Sequence, residues 1–264
     1  MDVIVSTLAA FWLILALFFV LIKRGLWIFN EVSKSLSMFM LEKALGPAID
    51  FVSGRSGSAS TTWIIHGFIW TFAASTFTFV GLWLTHDSTA LHSFGSWGYH
   101  PNSSELIYAG RLTALFGAIG MLIIGASLYA LPKLSGTDLA SESNATLVSL
   151  LWTFSVLLMF IGSQNSVILG ITILPVANIL LSLASTAIAI NMILTISEAT
   201  QDIPFPGWLI LFAVIGNIAA ILAVFVSGAY DEGTGQWLLF HLSGGTFFFC
   251  GLAGVSLYSA SVGS

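Results

Sequence analysis

Imidazole can ligate a metal or carry a proton near neutral pH, so the five histidines are where this sequence could do chemistry. His86, His92 and His100 fall close together with Asp87 and Glu105. Imidazole combined with carboxylate suits zinc or copper, which makes these three candidate metal ligands. Their spacing fits no standard ligand motif. The surrounding segment is rich in Ser, Gly and Trp, so it also reads as a solvated loop packing on a partner subunit. His241 is the stronger candidate. Trp237 lies four residues before it and Gly245 four after. On a helix all three share a face, giving the ring an aromatic neighbour and a gap. One histidine cannot hold a metal, so the remaining ligands would come from another chain. The competing reading is a hydrogen bond across the bundle, or to Asp231 or Glu232. His66, in Trp63-Ile-Ile-His66-Gly67, reads as an interfacial histidine bonded to a carbonyl or a lipid headgroup.

The elements that must position these residues follow from composition. Charged residues are 7% of the 264-residue chain and hydrophobic ones 57%, against about 25% charged in soluble domains. A soluble fold this poor in charge would expose large apolar patches and aggregate. Seven scattered cations at net charge −5 cannot form the basic footprint of a nucleic-acid binder. The single Cys excludes an internal disulfide or a Cys-ligated cluster. The chain reads as an all-α integral membrane protein. About 20 apolar residues cross the hydrocarbon core, and seven segments qualify: 5–22, 62–84, 108–132, 147–165, 173–197, 207–228 and 237–260.

Cations set the expected orientation in the cell (inner) membrane. Lys23, Arg24, Lys34, Lys43, Arg55 and Lys133 fall on one side and only Arg111 on the other. The N-terminus is therefore expected outside and the C-terminus in the cytoplasm. Leu26–Leu45 mixes apolar residues with Glu31, Lys34, Glu42 and Lys43. A charge at the bilayer centre costs about 2.5–3.5 kcal/mol, so this segment is expected to lie in the cytoplasmic interface. The stretch Ser53–Ser60 reads as a flexible linker. It divides an N-terminal anchor, residues 1–60, from a six-helix unit, residues 61–264.

Within the spans ionisable groups are few. Asn178, Asn191 and Asn217 are amides that fit interhelical hydrogen bonding. With no carboxylate at depth, a proton relay or ion-coupled transporter is hard to build. Gly117, Gly120 and Gly125, then Gly244, Gly245, Gly251 and Gly254, suit close helix approach.

The segment from Gln236 through Trp237, His241, Gly245, Phe247 and Gly251 to Gly254 resembles the sixth helix of the catalytic subunit of C-family (cbb-type) haem–copper oxidases, in register and without a gap. Tyr108-Ala-Gly110-Arg111-Leu112-Thr113-Ala-Leu115 resembles the start of that family's second helix. The order and direction of the helices also agree, with residues 5–22 as an extra span. The resemblance covers roughly 200 residues from Ser60 onward and implies the N-terminal half of subunit I. It implies copper ligation for His241. It places the low-spin haem ligand at Phe116, where no histidine stands. The later family helices, with the remaining copper and haem ligands, have no counterpart in this sequence.

The expected function is therefore a multi-pass membrane subunit of a respiratory-type redox complex, not catalytic as an isolated chain. It would bind copper or haem only with ligands from a partner chain. The alternatives are a structural or assembly subunit of another membrane complex, and a channel or transporter. Expected partners are other membrane subunits and the lipid bilayer.

Overall fold

The computed structural model describes residues 2–39, 55–92, 95, 102–164, 167–229 and 233–263. Among the described residues seven helices are long and apolar enough to cross a membrane, so the chain is a multi-pass membrane protein. They are α1 (Asp2–Phe39), α2 (Ser58–His86), α3 (Ser103–Ser135), α4 (Glu142–Gln164), α5 (Ile173–Ser197), α6 (Phe205–Val226) and α7 (Gly233–Gly263). Each contains one of the seven segments expected from hydropathy, with small shifts at the ends.

From α2 onward sequential helices pack as neighbours, and α3 touches α2, α4, α5, α6 and α7. The α2–α3 seam is closed by small residues. A Cβ on Gly117 would stand 2.7 Å from Trp70, and one on Gly125 would stand 2.8 Å from Ile64. Gly251 and Gly254 pack α7 equally tightly, whereas Gly244 and Gly245 face open space. The expected packing role therefore holds for the α3 glycines and for Gly251 and Gly254, and not for Gly244 and Gly245.

α1 differs from its expected form. It runs unbroken from Asp2 to Phe39, so no separate interfacial helix begins at Leu26 among the described residues. Gly25 is the only breaker there, and one interior Gly costs only about 1 kcal/mol. Residues 40–45 of the expected interfacial helix lie outside the described residues. α1 packs mainly on α6. Its Phe11 and Leu15 are buried in the common core, and its Thr7 hydroxyl donates to Ser227 Oγ at 2.7 Å.

The expected flexible linker is partly helical, because α2 already begins at Ser58. A carboxylate from α4 explains the start. Glu142 accepts the Gly57 N–H at 2.7 Å and the Ala59 N–H at 2.8 Å. Those donors have no partner inside the helix, and negative charge is favoured beside them. The chain before α4 is anchored as well. Asn191 Nδ2 donates to the Ser141 carbonyl at 2.7 Å, and the Ala140 N–H donates to Thr195 Oγ1 at 3.0 Å.

α2 contains many hydroxyls yet remains apolar enough to span. Thr62, Thr71, Ser75, Thr76 and Thr85 each donate to the carbonyl four residues back. No hydroxyl in that set is left unpaired against lipid.

The core is an aromatic knot. Trp63 and Trp152 meet edge to face at 5.5 Å. Trp63 Nε1 donates to the Ala145 carbonyl and Trp152 Nε1 to the Phe116 carbonyl, each at 2.7 Å. A π-helical turn over Thr113–Ile119 makes the second bond available. There the Gly120 N–H reaches back five residues to the Leu115 carbonyl. The Phe116 carbonyl is thereby released from its usual α-helical partner. A second π turn, Gly244–Phe248, turns two consecutive rings, Phe247 and Phe248, into the core. Phe247 lies 5.9 Å from Trp152, and Phe248 lies 5.7 Å from Phe116.

α4 and α5 are joined by a two-stranded hairpin, β1 (Val167–Ile168) and β2 (Ile171–Thr172). Its turn places Leu169 at φ 51°, with the side chain 96% exposed.

Trp152→Phe keeps a ring in the knot but removes the donor. Stability should fall by about 1–3 kcal/mol, the usual cost of leaving a buried polar group unpaired. Thermal unfolding in detergent measures it. Trp12→Phe, on the exposed side of α1, serves as the control and should leave the transition in place.

Candidate functional site

The first two turns of α7 carry the residues singled out by sequence. Gln236 turns inward, and the Tyr108 hydroxyl of α3 donates to its Oε1 at 2.7 Å. The motif that opens α3 and the motif that opens α7 thus meet through these two side chains. Neither was identified from sequence as half of a pair. The signal available was that each stood within a resembled motif.

Trp237 and His241 turn outward. Trp237 is half exposed and His241 is exposed. Their ring centroids are 3.9 Å apart, with 34° between the planes. His241 Nδ1 lies 2.7 Å from the Trp237 carbonyl. A carbonyl can only accept, so Nδ1 is the donor in this contact and Nε2 is the nitrogen left over for another partner. A metal-ligating histidine is commonly fixed in this way, with one nitrogen donating to a carbonyl and the other free to coordinate. A Cβ on Gly245 would meet nothing within 4 Å. The aromatic neighbour and the gap expected from the spacing are both present. The expected bond across the bundle is replaced by one within α7. Asp231 and Glu232 lie outside the described residues.

His66 is half-buried between α2 and α4. Its Nδ1 stands 3.3 Å from Thr153 Oγ1. His66 stands eight residues from the first residue of α2, and His241 eight from the first residue of α7. Those two helix starts lie at opposite ends of the bundle, so the histidines belong to different regions.

His86 closes α2 and His92 follows it, both exposed. His100 lies outside the described residues. Asp87 is engaged locally, accepting from the Thr89 hydroxyl at 2.8 Å and the Thr89 N–H at 3.0 Å. These bonds, helped by the positive character of His86 and His92, hold its carboxyl below the usual range. Among the described residues no three His, Cys, Asp or Glu side chains are grouped to hold a metal.

The Phe116 position does not fit a haem. The side chain is 0% exposed, with Phe248 and Phe240 rings at 5.7 Å and 6.3 Å. Its carbonyl is bonded to Trp152. Aromatic side chains fill the space between α3, α4 and α7, so the position offers neither a ligand atom nor room for a macrocycle.

The three amides behave differently from one another. Asn217 Nδ2 donates to Ser185 Oγ at 3.0 Å, and Ser243 Oγ donates to Asn217 Oδ1 at 3.2 Å. That chain joins α5, α6 and α7, as expected for interhelical bonding. Asn191 bonds the loop before α4, with its Oδ1 unpaired. Asn178 Oδ1 is buried without a partner.

Comparison with family models, characterised proteins and solved structures found no match to this chain.

Phe116→His should not create a haem site. It should bury an imidazole among rings and lower stability by about 1–3 kcal/mol. Thermal unfolding together with an optical spectrum of the purified variant checks both halves: a lower transition and no new haem band.

Proposed function

We propose that the chain is a membrane subunit of a multi-chain redox complex, not catalytic alone, which presents His241 to a site shared with a partner chain. The observation that carries this reading is the 2.7 Å contact between His241 Nδ1 and the Trp237 carbonyl. Nδ1 is committed to the Trp237 carbonyl, and the residue is exposed. The resemblance to C-family haem–copper oxidases supports copper or haem as the shared group, with the remaining ligands supplied by the partner. His241 would hold that group, and Trp237 would fix the imidazole plane. The group would supply the electron-transfer chemistry when bound.

A second reading has its own observation in favour. Because the Nδ1 bond is made within α7, the exposed Trp237–His241 face can serve purely for docking. The chain would then be an assembly subunit. A channel or transporter finds less support, since the knot of Trp63, Phe116, Trp152 and Phe247 closes the interior.

His241→Ala in the native complex separates the first two readings. The redox reading expects loss of bound metal or haem and of activity while the complex still assembles. If metal, haem and activity persist in an assembled complex, His241 is not a ligand. If assembly alone suffers, the docking reading stands.

We also propose that the end carrying Lys133 faces the cytoplasm, on the strength of the six-to-one cation bias. With Cys250 replaced by Ser, single cysteines at Thr137 and Thr89 should react with an impermeant maleimide from opposite faces. Thr137 should react only from the cytoplasmic side. Labelling of Thr137 from outside reverses the orientation.

A further inference from the structure

Beneath the end of the bundle where α3 and α7 begin lies a cavity of about 20 Å³. Tyr108, Met159, Asn178, Val224, Gln236 and Leu239 are among its lining residues, drawn from α3, α4, α5, α6 and α7. Most of the lining is apolar, and its three polar members are unequally provided for. Tyr108 and Gln236 bond to each other at 2.7 Å. The tyrosine donates in that bond, so its oxygen keeps lone pairs to accept with. Asn178 is only 7% exposed, and its Oδ1 has no hydrogen-bond partner.

We propose that this cavity is a binding site for one ordered water molecule. Asn178 Oδ1 can only accept, so its partner must bring a proton. The Tyr108 proton is already committed to Gln236. A buried water typically needs about 10–15 Å³ and two to four polar partners, and this cavity meets both conditions. A larger donor does not fit. A cation would exchange its hydration shell for mostly apolar walls, a costly exchange. Water donates one hydrogen to Asn178 Oδ1 and the other to the Tyr108 oxygen. The Gln236 amide N–H groups are the donors available to its lone pairs. The direct Tyr108–Gln236 bond joins α3 to α7, and the water extends that link to α5. The site uses only this chain's own residues and stands independently of the redox reading.

Two measurements on the full chain test it. The first is a high-resolution density map in a lipid nanodisc. A water peak within hydrogen-bond distance of both Asn178 Oδ1 and the Tyr108 oxygen is expected, and a dry cavity overturns the proposal. The second is stability of Asn178→Leu, Tyr108→Phe and the double variant. If water bridges the two groups, Asn178→Leu lowers the Tm, by about 2–4 °C for each kcal/mol lost in a chain of this size. The double variant then falls short of the sum of the singles, because both remove the same bridge. A raised Tm for Asn178→Leu means the oxygen was an unpaired burden, and additive losses mean nothing links the two residues. Either result overturns the proposal.

Discussion

The hydrocarbon around this bundle supplies no hydrogen-bond partners, so its buried polar groups depend on the protein or on enclosed water. Two indole N–H groups set the terms. Trp63 and Trp152 sit fully buried at the crossing of α2, α3 and α4, and each needs an acceptor. In a regular helix the main-chain carbonyls are already occupied. The π turn in α3 releases the Phe116 carbonyl for Trp152. The π turn in α7 brings Phe247 and Phe248 against the same rings. Local departures from α geometry thus follow from satisfying one donor and filling the space around it. π turns occur often at functional sites; here the pair builds a closed core.

That closure confines the proposed redox chemistry to the surface of the bundle. With aromatic rings filling the interior between α3, α4 and α7, a flat cofactor has no room at Phe116. The face of α7 beside Trp237 and His241 stays open, since Gly244 and Gly245 present no side chain there. His241 is exposed on that face, and among the described residues no three His, Cys, Asp or Glu side chains are grouped to hold a metal with it. The proposed multi-chain function builds on this placement. Glu142 shows the same economy at the far end, where it neutralises the start of α2 from another helix.

The seven spans were legible because hydropathy over 20 residues reports directly on the cost of leaving water. The shared face of Trp237, His241 and Gly245 was legible because helical spacing alone determines it. Which way that face points was not legible, since this depends on which neighbours α7 finds. The continuity of α1 through Gly25 was hidden because a single glycine weakens a helix without ending it. The π turns left no trace in sequence. The turn in α3 goes with an acceptor for Trp152 on another helix, and the turn in α7 with the burial of Phe247 and Phe248. The lone oxygen of Asn178 was equally hidden, because all three amides look alike until their surroundings are known. Asn217 found Ser185 and Ser243, while Asn178 faces a cavity.

The account rests on an interior filled by aromatic rings and on the proposal that exposed His241 acts with a partner chain. An optical spectrum with metal analysis, recorded on the isolated chain and on the complex purified through it, addresses both points together. The account predicts no bis-histidine haem signature from the chain alone, and bound metal or haem in the complex. A bis-histidine haem spectrum from the isolated chain would contradict it.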